Sequence, residues 1–281
     1  MAVIGAGSMG GSILAGLTHP GVDVASLSVT VRSSRSAEPL RASGLTVFAL
    51  DEDPNANRRA VAGAQIVVVA VKPAMIPGVL REVADALLPG AVVVSVAAGL
   101  TTSSMEAIVP GSVIRAMPNT PALIGASMTG IAAGARASNA DLDLARRVFG
   151  TMGEVLVIEE SRLDALTAIS GSGPAYVFHA VEKWMDVARG LGFTDEEARL
   201  LVGQTFLGAG RLLAETGEDP AELRRRVTSP GGTTAAAIAV LDDAGLERIY
   251  RSAADAAIAR AKEIGAPSAG FDRLNPRKVG G

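Results

Sequence analysis

The first seventeen residues constrain the fold more than any other stretch. Ala2-Val3-Ile4 is a short apolar run, Gly5-Ala6-Gly7-Ser8-Met9-Gly10 follows it, and the chain as far as about Leu17 reads as a helix. Glycines spaced G-x-G-x-x-G between a strand and a helix permit a tight turn, a close approach of the backbone to a pyrophosphate, and close helix packing. The helix start adds unpaired N–H groups and the positive end of a helix dipole, which favour an anion. In isolation these glycines would signify no more than a structural turn. A second strand expected at 27–31 completes the βαβ context and favours dinucleotide binding.

The end of that second strand bears on the choice of cofactor. NAD-binding folds place an Asp or Glu there, about 20 residues past the glycines, to bond the ribose 2′-hydroxyl. This chain has Arg32-Ser33-Ser34-Arg35 instead. Two guanidiniums and two hydroxyls suit a 2′-phosphate, and no carboxylate is expected to stand there to repel it. NADPH is the expected cofactor, with NADH as the alternative; a solvated surface turn is the plainer reading of the same four residues.

Strand and helix go on alternating. Strands are expected at 46–50, 66–71, 91–96, 113–117, 127–132 and 154–158, and helices at 55–62 and 139–152. The apolar runs at 66–71 and 91–96 are far shorter than the ~20 residues of a membrane span and read as buried parallel strands. Ligands of open α/β sheets bind beyond the carboxyl ends of the strands. That rule points to Ala70, Val71, Lys72 and Pro73, to the small residues Ala97, Ala98 and Gly99, and to Asn119 in the stiff loop Pro118-Asn119-Thr120-Pro121. Lys72 and Asn119 also have bland readings, as a surface lysine and as a residue that holds its own turn.

From residue 161 onward the pattern is helical throughout. Pro174 suits the first turn of a long helix ending near Gly190, Thr194 with Glu197 forms a capping box for the next, and Asp219, Pro220 and Glu222 are expected to do the same for a short helix ending near Val227. Val227-Thr228-Ser229-Pro230-Gly231-Gly232-Thr233-Thr234 then leads into a further helix, with Thr233 or Thr234 at the N-cap position. Two glycines leave the amides there unshielded and several hydroxyls converge, so the turn suits a carboxylate or phosphate; a capped helix after a Pro-Gly turn is the simpler alternative. The helix that follows, Ala235-Ala236-Ala237-Ile238-Ala239-Val240-Leu241, is apolar on every face. A helical domain of about 110 residues buries such a helix internally only with difficulty, so a second subunit is expected to cover it. The expected organisation is an α/β fold with a Rossmann-like doubly wound dinucleotide-binding domain over 1–160, an all-helical substrate and dimerisation domain over 161–268, and a frayed tail over 269–281.

Composition narrows the function classes. At 281 residues, 48% hydrophobic and 20% charged, the chain can bury extensive cores. A net charge of −3 with scattered Lys and Arg gives no support to nucleic-acid binding. Without cysteine, and with His19 and His179 the only histidines, neither a thiolate or histidine metal site nor a Ser-His-Asp triad is expected. With no membrane span and no signal-peptide pattern, a cytoplasmic location is expected.

Three stretches carry a resemblance to a known family: Ala116-Met117-Pro118-Asn119-Thr120-Pro121, Ser170-Gly171-Ser172-Gly173-Pro174-Ala175-Tyr176, and Val227 through Thr234. The chain resembles pyrroline-5-carboxylate reductases from Ile4 to about Ala266. The resemblance implies NAD(P)H-dependent reduction of an imino acid, 1-pyrroline-5-carboxylate, to L-proline, the last step of proline biosynthesis. It also implies a homodimer through the helical domain, built in some members into larger rings such as a decamer. It maps the substrate-carboxylate loop onto Ser229, Gly231, Gly232 and Thr233, and the hydroxyl facing the ring nitrogen onto Thr234. Its cofactor positions fall on Gly5, Gly7, Ser8, Met9, Gly10, Arg32, Ser33, Asn57, Ala70, Val71, Lys72, Pro73, Ala97, Ala98 and Asn119, to which the residues themselves add Arg35. Two rival readings are a β-hydroxyacid dehydrogenase, whose acid/base lysine would have to be Lys183, and a catalytically silent NADP-binding regulator.

Overall fold

The computed structural model describes residues 1–22 and 24–265; the tail expected at 269–281 lies outside them. The described residues divide into two compact units, one comprising Met1–Ser172 together with 256–265, the other Gly173–Asp255.

The first unit is built on an eight-stranded sheet in the order β3-β2-β1-β4-β5-β6-β7-β8. Its strands are β1 (Ala2–Ile4), β2 (Ser28–Val31), β3 (Thr46–Ala49), β4 (Ile66–Val69), β5 (Val92–Ser95), β6 (Ser112–Met117), β7 (Ser127–Ala133) and β8 (Gly153–Val157). The first six follow the 3-2-1-4-5-6 order of dinucleotide-binding folds, all parallel, with Val3 opposite Val29 on one side and Val68 on the other. β7 is antiparallel to β6. The physical reason is loop length: nine residues separate the two strands, and a parallel crossover needs a dozen or more.

Helices cover both faces: α1 (Ser8–Leu17), α2 (Ser34–Ala42), α3 (Ala56–Val61), α4 (Ile76–Val83), α5 (Thr102–Glu106) and α6 (Asn139–Gly150). The period of two along the strands sorts the core. Val3, Val68, Val92, Val94 and Ile114 pack against Ile13 and Leu14 of α1 and Phe149 of α6, while Ile4, Val67, Val69, Val93 and Val113 pack against Ile76, Leu80 and Val83 of α4. Each fully buried aliphatic side chain contributes ~1.5–3 kcal/mol, so continuous valine runs form strands because both faces are covered. After a four-residue helix α7 (Leu163–Leu166), Thr167–Gly171 forms a π-helical turn in which the Ser172 amide donates to the Thr167 carbonyl at 2.8 Å.

The second unit contains α8 (Gly173–Gly190), α9 (Asp195–Thr216), α10 (Pro220–Arg226), α11 (Thr233–Asp243) and the first half of α12 (Leu246–Gly265). The Thr194–Glu197 capping box forms as expected. Asp219 caps α10 through the Ala221 amide, but Glu222 turns instead to Arg225 and Arg226, so no reciprocal box closes there. The core of this unit is small: Ala188, Ala198 and Val202 with Val181, Met185 and Phe206 against them, and Trp184 edge-on to Phe206 at 5.4 Å. Large apolar side chains remain outside it, among them Phe178, Leu191, Leu200, Tyr250 and Val240, which is 70% exposed. Not one residue of α11 is buried within the chain. Among the described residues no helix is long and apolar enough to cross a membrane.

Candidate functional site

In the first unit the glycine turn closes on the end of β4. The Gly5 and Ala6 amides donate to the Thr30 carbonyl at 3.1 and 3.2 Å, which holds the turn over β2. Gly5 has φ +90°, and a Cβ on it would lie 2.9 Å from Val71 Cγ1 and 3.2 Å from the Ala70 carbonyl oxygen. A Cβ on Gly10 would overlap the Gly5 carbonyl oxygen. These two glycines let helix, turn and strand cross. Gly7 differs: it is the N-cap of α1, no side chain caps it, and a Cβ there would meet nothing within 4 Å. Open space therefore fronts an uncapped ten-residue helix that begins with Ser8 and Met9, the geometry a pyrophosphate requires. The structure thus brings Gly5, Gly10, Ala70 and Val71 together. Lys72, exposed, precedes the 3-10 turn of Pro73–Met75, and Ala97, whose amide donates to Ser95 Oγ at 3.3 Å, and Ala98 follow β5 half-buried.

Arg32 and Arg35 are exposed and make no ion pair among the described residues, while Ser33 caps α2 through the Ser36 amide. One expectation is corrected here. A carboxylate does stand at this turn: Asp51, just beyond β3, accepts the Ser34 amide at 2.8 and 3.0 Å through its two oxygens. It lies 17 residues away in sequence, and the parallel pairing of β2 with β3, Val31 opposite Ala49, carries it there.

Asn57, near the start of α3, is buried; its Nδ2 donates to Glu82 Oε2 at 3.0 Å, and its Oδ1 has no partner. A buried amide oxygen left unpaired costs ~1–3 kcal/mol, and this one is closed to solvent, so a ribose hydroxyl would meet it only after the side chain moved. The open start of α1 and the exposed guanidiniums of Arg32 and Arg35, unpaired among the described residues, fit the phosphates of a dinucleotide. Asn119 is also buried, and it is occupied: Nδ2 donates to the Ser170 carbonyl at 3.0 Å, and Oδ1 accepts from Ser127 Oγ at 3.1 Å and the Met128 amide at 3.0 Å. These bonds tie the loop after β6 to the π-helical turn.

One buried cluster escapes sequence reading. Glu160 accepts the Thr102 amide at 2.7 Å, the Thr102 hydroxyl at 2.6 Å and Arg115 Nη1 at 3.0 Å. Burial pushes the Glu160 carboxyl up, but these bonds and the guanidinium outweigh it and hold the group below the ordinary glutamate range. The signal available in sequence was an arginine inside an otherwise apolar strand, since a buried charge demands a partner.

In the second unit the residues Ser229 to Thr234 form the turn into α11. Gly231 has φ +73°, and a Cβ on Gly232 would lie 2.6 Å from Ser229 Oγ, so both glycines are needed to fold the turn back on Ser229. The N-cap is Gly232, not Thr233 or Thr234, and no side chain caps the helix. Gly232 takes the extended cap conformation, φ −79° and ψ 167°, so the two threonines fall inside the first turn, where a hydroxyl cannot reach the amides a cap serves. Thr228 is spent on the Arg224 carbonyl at 2.6 Å. What remains is an eleven-residue helix with an uncapped N-terminus, preceded by an exposed serine hydroxyl.

Such a sheet, glycine turn and uncapped helix define a dinucleotide-binding protein with an added helical unit. Comparison with known proteins sharpens this. A family profile described as "Pyrroline-5-carboxylate reductase dimerisation" matches residues 160–264, and one described as "NADP oxidoreductase coenzyme F420-dependent" matches residues 1–99. The pyrroline-5-carboxylate reductase of Pseudomonas aeruginosa is 40% identical over 267 residues, covering 94% of this chain and 96% of that protein. A solved pyrroline-5-carboxylate reductase from Coxiella burnetii superposes with a TM-score of 0.87 at 37% identity, covering 95% of this chain and 98% of that one. The Plasmodium falciparum pyrroline carboxylate reductase, solved with NADP bound, gives 0.81 at 25% identity, with coverage of 94% and 97%. The chain belongs to the pyrroline-5-carboxylate reductase family.

Proposed function

We propose that this protein reduces 1-pyrroline-5-carboxylate to L-proline with NADPH, closing proline biosynthesis. The observation that carries the reading is the start of α11: an uncapped helix N-terminus behind two glycines, with Ser229 beside it, suits a small carboxylate. Near-complete coverage of reductases in the comparisons supports the rest. Ser229 and the amides of Gly231, Gly232 and Thr233 hold the substrate carboxylate, and the Thr234 hydroxyl hydrogen-bonds the ring nitrogen. A protonated C=N bond is already electrophilic, so the residues need to supply orientation and exclusion of water rather than a strong acid. Thr234, an alcohol, fixes the face of the ring presented for reduction and does not act as the acid. Bound NADPH supplies the hydride.

In the dinucleotide-binding part, 1–160, Gly5, Gly7, Ser8, Met9 and Gly10 bind the pyrophosphate, Arg32, Ser33 and Arg35 the 2′-phosphate, and Asn57 a ribose hydroxyl. Ala70, Val71, Lys72, Pro73, Ala97, Ala98 and Asn119 line the nicotinamide end. The helical part, 161–268, dimerises through α11 and its exposed apolar neighbours, and dimers assemble further into a ring such as a decamer.

The dehydrogenase alternative fares poorly. Lys183 is exposed and pairs with Glu182 at 2.9 Å and Asp186 at 3.2 Å, whose bonds push its ammonium up, away from the neutral range an acid/base lysine needs. The deciding assay is NADPH consumption with pyrroline-5-carboxylate set against other cyclic imines, and NADP+ reduction with 3-hydroxyacids. Turnover confined to a 3-hydroxyacid in reverse would refute the proposal.

A further inference from the structure

The acidic stretch behind β3 does not treat its three carboxylates alike. Glu52 is paired with Arg41 at 2.6 Å and Asp53 with Arg59 at 2.9 Å. Asp51 has no cation within ion-pair distance among the described residues. It is spent instead on the Ser33-Ser34 turn, accepting the Ser34 amide at 2.8 and 3.0 Å and the Ser34 hydroxyl at 3.3 Å. Ser34 is the first residue of α2, and on either side of it Arg32 and Arg35 are exposed and unpaired among the described residues. The place where an anion would meet the start of α2 therefore already holds one of the chain's own charges.

Resting on the reading that NADPH is the cofactor and that these arginines receive its 2′-phosphate, we infer that Asp51 is a specificity-determining residue that narrows the preference for NADPH over NADH. A 2′-phosphate carries about −1.5 to −2 charges at neutral pH and needs the guanidiniums on either side of Ser34. Asp51 opposes it twice, by direct repulsion and by occupying the Ser34 amide and hydroxyl, two donors the phosphate would otherwise use. NADH brings a neutral 2′-hydroxyl to the same turn, and a carboxylate accepts a hydrogen bond from a hydroxyl. One acidic side chain thus sets the phosphate-binding arginines and the acid against each other. The acid arrives from β3 rather than from the end of β2, where NAD-binding folds usually carry it.

The test is Asp51→Asn, which keeps the shape and the acceptor for the Ser34 amide but removes the charge. The readout is the KM for NADPH divided by that for NADH, measured with pyrroline-5-carboxylate over a salt series, with the dissociation constant of each cofactor measured directly by fluorescence. Expected is a fall in that ratio of about three- to tenfold at low salt, shrinking as salt is raised, because exposed charges are screened beyond about 10 Å at 0.1 M. An unchanged ratio overturns the inference. So does a ratio that rises, or KM values that both rise independently of salt, because Asp51 would then be shaping the turn rather than opposing the phosphate. Asp51→Glu, which restores the charge, should bring the parental ratio back; failure to do so counts equally against it. If the parental chain binds neither cofactor, the dinucleotide reading falls and this inference with it, which is a different result from a selective null effect of the variant.

Discussion

Thr234→Ala separates chemistry from folding because of how α11 begins. Were Thr234 the N-cap, its removal would cost about 1 kcal/mol of helix stability and any loss of activity would be ambiguous. The cap is Gly232, no side chain caps the helix, and Thr234 is its second residue, half-buried, its hydroxyl without a hydrogen-bond partner among the described residues. Alanine is the better helix former, by up to ~0.7 kcal/mol. The variant should therefore unfold in urea at the parental midpoint or slightly above it, measured at one fixed protein concentration because subunit association contributes to stability. Its kcat should fall about 10- to 100-fold, the ~1.4–2.7 kcal/mol of a single oriented hydrogen bond at the transition state. Thr234→Ser keeps the hydroxyl and should hold kcat within about threefold. Ser229→Ala, by contrast, removes an anchor made equally in ground and transition states and should raise the KM for the imine with little change in kcat. A Thr234→Ala enzyme that is folded, binds NADPH and turns over at the parental rate would refute the assignment. An unfolding free energy lowered by about 1 kcal/mol or more would refute the account of the cap.

Replacing both Arg32 and Arg35 by Ala should raise the KM for NADPH far more than that for NADH, since each charge-assisted bond is worth ~1.5–3 kcal/mol; equal losses would mean that they do not hold the 2′-phosphate. Ala237→Glu adds a charge to a residue exposed within the chain, so the subunit should fold but fail to dimerise, losing activity; an active monomer by light scattering would show that α11 is not an interface. Glu160→Gln leaves Arg115, 9% exposed in its side chain, without its counter-charge. With Glu160 itself 27% exposed, the loss should fall at the lower end of the ~3–5 kcal/mol that breaking a buried pair costs, read from denaturant midpoints. Because the folded carboxyl of Glu160 is held below its unfolded value, its contribution is complete above the ordinary glutamate range and lost as pH falls through the lower folded value. The gap between parent and Gln variant should accordingly close in acid, and a gap that widens there would refute the pairing.

The features legible in sequence are those whose cause is local. A glycine spacing and a run of valines each state their own geometry, which is why the turn at Gly5 to Gly10 and the strands β4 and β5 can be read directly. The apolar helix α11 is legible for a different reason: its residues are apolar on every face, yet none of them is buried within the chain. What escapes is pairing between distant residues. Asp51 meets Ser34 across 17 residues and Glu160 meets Thr102 across 58, and both depend on strand order, which no local pattern carries. The N-cap at Gly232 is missed on a finer scale, because threonine and glycine both favour that position and only the backbone conformation decides between them.

This division bears on how the protein selects its cofactor. Judged from the Arg32-Ser33-Ser34-Arg35 turn alone, a phosphorylated dinucleotide is favoured; once β3 is placed beside β2, the same turn carries two cations and one anion. If this turn receives the 2′-phosphate, affinity for it depends on a balance of exposed charges, each screened by salt. Exposed charges in a surface turn can be altered without disturbing the buried valines beneath it, so cofactor preference is the property of this enzyme that single substitutions should move most easily. The substrate loop has no such freedom. Gly231 needs its left-handed φ, so a side chain there strains the turn, and a Cβ on Gly232 would force Ser229 Oγ aside, so if this turn holds the substrate carboxylate, recognition changes only at the expense of the turn itself.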